Sequence, residues 1–259
     1  MPPSSMSLSY TALSPESPTD LSYFIQIIVS AFSQTALTTA FIVDIDSTPP
    51  PYPSPLVDAA RRERHFSQGI LDSAASNAEL VQAGNWSAIA LWEPPTFQGK
   101  AFIDSKARPG EILGEWRGKI RAAKEKYLPL PSSKTSTDSE SSSNDGGSNS
   151  NSDTGSSSKP QIRPFYHLSF LARNPSAPRV PGSINAVMTP FLERARDENV
   201  PAWLEATTPQ AVKIYEHFGF RVVEEIVVGK GRIDPMGWPK EDGDGVTAYA
   251  MIYDAHLRD

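Results

Sequence analysis

Cysteine is absent from the 259 residues, which removes disulfides, thiolate nucleophiles and Cys-based zinc sites in one step and suits a reducing compartment. Basic charge is not in excess. Lys and Arg total 24 against 30 Asp and Glu, a formal net charge of -6, so the broad cationic surface that nucleic acid phosphates require is missing and no nucleic-acid partner is expected. Histidine is scarce: His65, His167, His217 and His256 are scattered without metal-ligand spacing, so no metal is expected. There is no Gly-x-Ser-x-Gly elbow, and a Ser-His-Asp hydrolase finds no support. Long apolar runs are lacking too. The longest, Leu21 to Val43, is broken by Ser30, Ser33, Gln34, Thr35, Thr38 and Thr39, too polar for a membrane span, so no membrane partner is expected. Met1 to Leu21 lacks the basic start and short apolar run of a secretory signal, which predicts a cytoplasmic location, with the nucleus an alternative.

What is present is a mixture of helical and strand patterns. Phe24, Ile27, Ile28, Ala31 and Phe32 recur at helical spacing and predict one buried helix with its exit across 21–43. Residues 55–78 form a second helix-compatible run, and Trp86 to Trp92 reads as a strand ended by Pro94 and Pro95. Ile112, Trp116, Ile120, Ala123 and Tyr127 form one helical face. A Ser-rich segment at 132–159 has no apolar side chain to offset its ordering entropy and is expected to be a disordered insertion. Residues 1–20 are expected to be a disordered tail, and 21–259 a single domain.

The second half is more regular. Strand patterns at 166–173, 202–206, 221–228 and 246–253 alternate with a helix over 183–198, carrying Pro190 where a kink is expected, and a short helix opened by Thr208 and Pro209 and stopped by Gly219. The fold class predicted is α/β of the α+β kind, a mixed and mostly antiparallel central sheet flanked by helices.

Four blocks then carry a resemblance: Leu168-Ser-Phe-Leu-Ala-Arg-Asn-Pro175, Arg179-Val-Pro-Gly182-Ser-Ile184, Leu204-Glu-Ala206 and Tyr215-Glu-His-Phe-Gly-Phe220. In order and spacing the chain resembles the GNAT N-acetyltransferases, particularly the branch that includes puromycin N-acetyltransferase. The resemblance is detailed over Phe165 to Val228. It implies a GNAT-like sheet splayed between its two central strands. It also implies acetyl-CoA as co-substrate and direct attack of a primary amine, as of a small molecule, on the thioester. The turn Arg179, Val180, Gly182, Ser183, Ile184 and Asn185 would then offer main-chain N–H groups and a helix N-terminus to the pyrophosphate. Leu171, Ala172 and Arg173 would pair with the pantetheine arm as an added strand would, with Thr208 also near it. Tyr215 matches the family's acid. Glu205 matches a position from which some relatives draw a base, and the alternative for it is a structural ion pair. His167 is a second candidate base, with a packed strand histidine as its alternative. Pro181 has no N–H to give, Ile184 stands where the family pattern has Gly or Ala, and Thr208 stands where many relatives carry Asn. A non-catalytic GNAT-fold binding module is therefore the competing reading.

Overall fold

The computed structural model describes residues 8–100, 109–130 and 161–258, and the predicted Ser-rich insertion lies outside them. Seven strands form one sheet: β1 (Tyr10–Ala12), β2 (Glu79–Ala83), β3 (Ala88–Glu93), β4 (Tyr166–Arg173), β5 (Ala202–Ala206), β6 (Arg221–Val228) and β7 (Val246–Tyr253). Their spatial order is β1-β2-β3-β4-β5-β7-β6. Every pairing is antiparallel except β4 with β5. Among the described residues six α-helices accompany the sheet: α1 (Pro18–Ala31), α2 (Ala36–Asp46), α3 (Ala59–Ala75), α4 (Glu111–Tyr127), α5 (Ser183–Asp197) and α6 (Pro209–His217). This is the helix-flanked, mostly antiparallel, GNAT-like sheet that the resemblance implies.

Alternation along the strands sorts side chains between two faces. Ala88, Ala90 and Trp92 of β3 join Leu168, Ala202, Leu204 and Met251 in a core against Val187, Met188 and Phe191 of α5. On the opposite face, Ile89, Leu91, Phe170 and Ala172 pack on α1 and α3. Further along that face, Trp203, Ala248, Ala250 and Ile252 pack on α2 and α4. Both faces of β3 are covered, which explains why all six of its residues are buried.

Two differences from the sequence reading have physical causes. Residues 21–46 form two helices bent by 102° instead of one with an exit. The break falls at the polar Ser33, Gln34 and Thr35, and on either side of it α1 packs with α3 while α2 packs with α4. Neither helix alone is long and apolar enough to cross a membrane. The expected tail at 1–20 also contains sheet: β1 pairs with β2 through Tyr10↔Ala83, Thr11↔Gln82 and Ala12↔Val81.

The feature that positions the site is the parting of β4 and β5. They pair only at Tyr166↔Ala202, His167↔Trp203 and Leu168↔Leu204. Beyond that point β4 stays with β3 as far as Arg173↔Ala88, while β5 stays with β7 as far as Ala206↔Tyr249. The divergence begins at a bulge. Leu91 pairs with Phe170 and Trp92 with Leu168, so Ser169 is the extra residue, and an extra residue bends its strand away from a neighbour.

Candidate active site

Two pockets open where the strands part. A groove of about 460 Å³ is lined by Leu171, Ala172 and Arg173 of β4, Ile184 and Asn185 of α5, and Lys213, Tyr215 and other residues of α6. An adjoining pocket of about 300 Å³ lies under the α1–α2 corner, and its lining includes His167, Ser169, Glu205 and Thr208 together with several aromatic rings. Leu171, Ala211 and Tyr215 belong to both. Tyr215 thus stands at the doorway between two compartments.

The short helix α6 holds Tyr215 there. Thr208 caps it, its hydroxyl accepting from the Ala211 N–H at 3.1 Å, and Pro209 occupies the first turn. The Tyr215 ring packs edge-on to Phe220 at 6.0 Å. Burial raises its phenol above the ordinary tyrosine value, so it stays protonated well into the alkaline range. Among the described residues the hydroxyl has no hydrogen-bond partner, which leaves its proton available to a guest.

The turn before α5 leaves fewer free amides than the sequence suggested. Gly182 caps the helix at φ +81, with no side-chain cap, and a Cβ placed there would meet nothing within 4 Å. Val180 N–H donates to Ser87 Oγ at 3.0 Å, and Ser183 N–H donates to Val180 O at 3.2 Å. Buried Ser183 and half-buried Val180 therefore shape the turn, against the expectation that their amides face a ligand. The helix ladder starts at Ala186 N–H to Gly182 O. Among the described residues the amides of Gly182, Ile184 and Asn185 have no protein acceptor, as expected for a helix start. Ile184 packs on the α5 core while lining the groove, so its side chain forms part of the wall. Arg179 is exposed on the same turn. Thr208 lines the smaller pocket and not the groove. Lys213, which the sequence reading passed over, adds a cation to the groove wall.

On the other side of the doorway lies a buried charge network. His167 pairs across the sheet with Glu93, and its Nδ1 lies 2.8 Å from Glu93 Oε2. Its Nε2 lies 3.0 Å from Glu205 Oε2. A ring whose two nitrogens both face carboxylate oxygens must donate at both, so it is an imidazolium. Burial and Lys124 favour the neutral ring, but the two carboxylates outweigh them and raise the His167 pKa above its usual value. Ser169 Oγ donates to Glu93 Oε1 at 2.7 Å and Trp203 Nε1 donates to Glu205 Oε1 at 2.6 Å, while Lys124 Nζ lies 3.6 Å from the latter oxygen. Burial works against ionisation of Glu205, yet Lys124 and His167 hold its pKa down to about 2. Glu93 is likewise held below the usual carboxylate range, His167 outweighing its burial. Two carboxylates, one imidazolium and one ammonium cancel, so the network is neutral overall. Of the two readings open for Glu205 in the sequence, the geometry is that of the ion pair: a carboxylate held near 2 is a weak proton acceptor. Glu93 was missed because it lies 74 residues before its partner. The one available signal was a carboxylate closing an otherwise apolar strand.

No family model matches the chain. Over 89 residues, 34% of its length, it is 33% identical to increased recombination centers protein 11 of Saccharomyces cerevisiae. It is 34% identical over the same length to a second, uncharacterized protein of that yeast. The matches span 57% and 38% of those proteins, about half the length of the curated relatives. Among solved structures, the C-terminal condensation domain of Ebony in complex with beta-alanyl-dopamine superposes with a TM-score of 0.54 at 11% identity. That match covers 95% of this chain and 97% of the other. At that identity the likeness is one of fold.

Proposed function

We propose that this chain is a GNAT-family N-acetyltransferase that moves the acetyl group of acetyl-CoA to a primary amine of a small molecule in a ternary complex. The observation that carries the reading is the meeting of the two pockets at Leu171, Ala211 and Tyr215, where β4 and β5 part. A two-substrate transfer needs its reactants in separate compartments that touch at one point, and this doorway supplies that arrangement. Placement in the branch resembling puromycin N-acetyltransferase is part of the same proposal.

In this reading the groove takes the cofactor. The diphosphate sits at the start of α5 on the Gly182, Ile184 and Asn185 amides, aided by the helix dipole and by the nearby cations Arg173, Arg179 and Lys213. Pantetheine follows the edge of β4 that β5 leaves free, which brings the thioester to Tyr215. The amine enters the smaller pocket, whose apolar walls favour its neutral form. Its nitrogen attacks the carbonyl carbon, the C–S bond breaks, and the Tyr215 proton passes to sulfur. The proton lost by nitrogen leaves through water at the Glu205 and His167 edge. Glu205 and Glu93 act by holding His167 in place and charged, with Tyr215 the acid.

Two results are expected. Gly182→Ala puts a side chain at positive φ and a methyl at the anion cradle, so acetyl-CoA affinity should fall by roughly tenfold; an unchanged affinity in calorimetry would move the phosphates elsewhere. Amine-dependent release of free thiol, the direct test of the function, should rise from pH 7 to 9 as free amine accumulates. The activity should not decline below about pH 10, the ordinary tyrosine value, because burial raises Tyr215 above it. An acid optimum, or no thiol release with any amine, would contradict the mechanism.

A further inference from the structure

The lining of the smaller pocket narrows the acceptor, on the basis of the transferase reading above. Phe32, Phe66 and Phe170 meet one another there at ring centroid distances of 5.6 to 6.1 Å in tilted and edge-to-face contacts, and Phe41 and Trp116 meet at 6.3 Å. All five line the pocket together with Leu37 and Leu168, and its polar lining includes Thr35, Thr38, His65, Ser169 and Thr208. Among the described residues the lining holds a single carboxylate, Glu205. Both of its oxygens are engaged, one by Trp203 and Lys124 and the other by His167. The volume of about 300 Å³ stands at the low end of small-molecule sites, which favours a compact acceptor.

These facts set a charge rule. The reacting nitrogen lies at the doorway in its neutral form, so any second amine must reside among the rings. There it would be a buried cation with no free carboxylate among the described residues to meet it, and ring faces packed against neighbouring edges do not form an open cation cage. An aromatic or branched apolar group fills the same space and gains from leaving water. We propose that the acceptor is a primary monoamine bearing one compact aromatic or branched apolar group, and that polyamines and guanidino-amines are excluded. The selectivity belongs to the walls contributed by α1, α2, α3 and α4, and the doorway chemistry is indifferent to it.

The test is a panel assayed with the full chain and saturating acetyl-CoA at pH 8.5, read by thiol release: 2-phenylethylamine, tryptamine and isoamylamine against agmatine, putrescine and spermidine. The monoamines should exceed the polycations in kcat/KM by roughly a hundredfold or more, since a pocket that leaves a buried charge unpaired rejects it strongly. Turnover led by agmatine or spermidine would overturn this inference and leave the transferase reading standing. Thiol release with no member of the panel would sink both. Trp116→Ala enlarges the aromatic end without touching the doorway, and should shift preference toward bulkier monoamines. A gain for polyamines alone in that variant would also count against the charge rule.

Discussion

Tyr215→Phe is expected to lower kcat by about two to three orders of magnitude while changing acetyl-CoA affinity by less than about twofold. The split follows from where the residue sits. The ring lines both pockets and packs against Phe220 at 6.0 Å, and phenylalanine keeps those contacts. What is lost is one proton donor, which in the proposed mechanism meets no partner until the thiolate begins to leave. Removing an interaction made only in the transition state lowers turnover without weakening ground-state binding. Steady-state kinetics beside calorimetric titration of acetyl-CoA separate the two quantities. Equal turnover in the two proteins would remove Tyr215 from the chemistry.

Glu205→Gln should cost about 3 kcal/mol of folding stability, because removing one member of a buried charge network leaves the others uncompensated. Lys124, at 3.6 Å, would lose its counter-charge, and His167 would retain only Glu93. The pH dependence gives the sign. The folded-state pKa of Glu205 lies near 2, below its ordinary 4.5, so its contribution is complete above about pH 4.5 and is lost as pH falls toward 2. Denaturant midpoints should therefore differ most between wild type and variant near neutrality and converge at low pH. Adding Lys124→Met to Glu205→Gln removes the orphaned ammonium and should recover part of the loss. A variant as stable as wild type at pH 7, or a difference that widens in acid, would show that the pairing contributes nothing.

The legibility of this protein in its sequence follows the range of the forces involved. The strands at 166–173 and 202–206 and the helix opened by Thr208 and Pro209 were readable because caps, periodicity and proline are local signals. Tyr215 was singled out through the motif that carries the resemblance. The corner between α1 and α2 falls at the polar Ser33, Gln34 and Thr35, but the turn itself is set by distant partners, α3 for α1 and α4 for α2. The three residues of β1 are too short to show alternation and are ordered only by pairing with β2. Glu93 and Lys124 are recruited from β3 and α4 to meet His167 and Glu205, and nothing in their own neighbourhoods marks them. Within the turn before α5, the motif placed Arg179 to Asn185 together but left open which amides remain available. That depended on Ser87, 93 residues upstream, whose hydroxyl takes the Val180 N–H. Local chemistry was thus readable, and the partners that set its protonation were not.

The account turns on whether the groove between β4 and α6 takes acetyl-CoA. Titrating acetyl-CoA into the full chain by calorimetry should give one site per chain with a Kd below about 1 mM, in the range in which enzymes hold their substrates, and the heat should disappear when the protein is first saturated with CoA. Absence of binding at millimolar acetyl-CoA, by a chain shown to be folded, would contradict the transferase and favour a binding module that keeps the fold without its reaction.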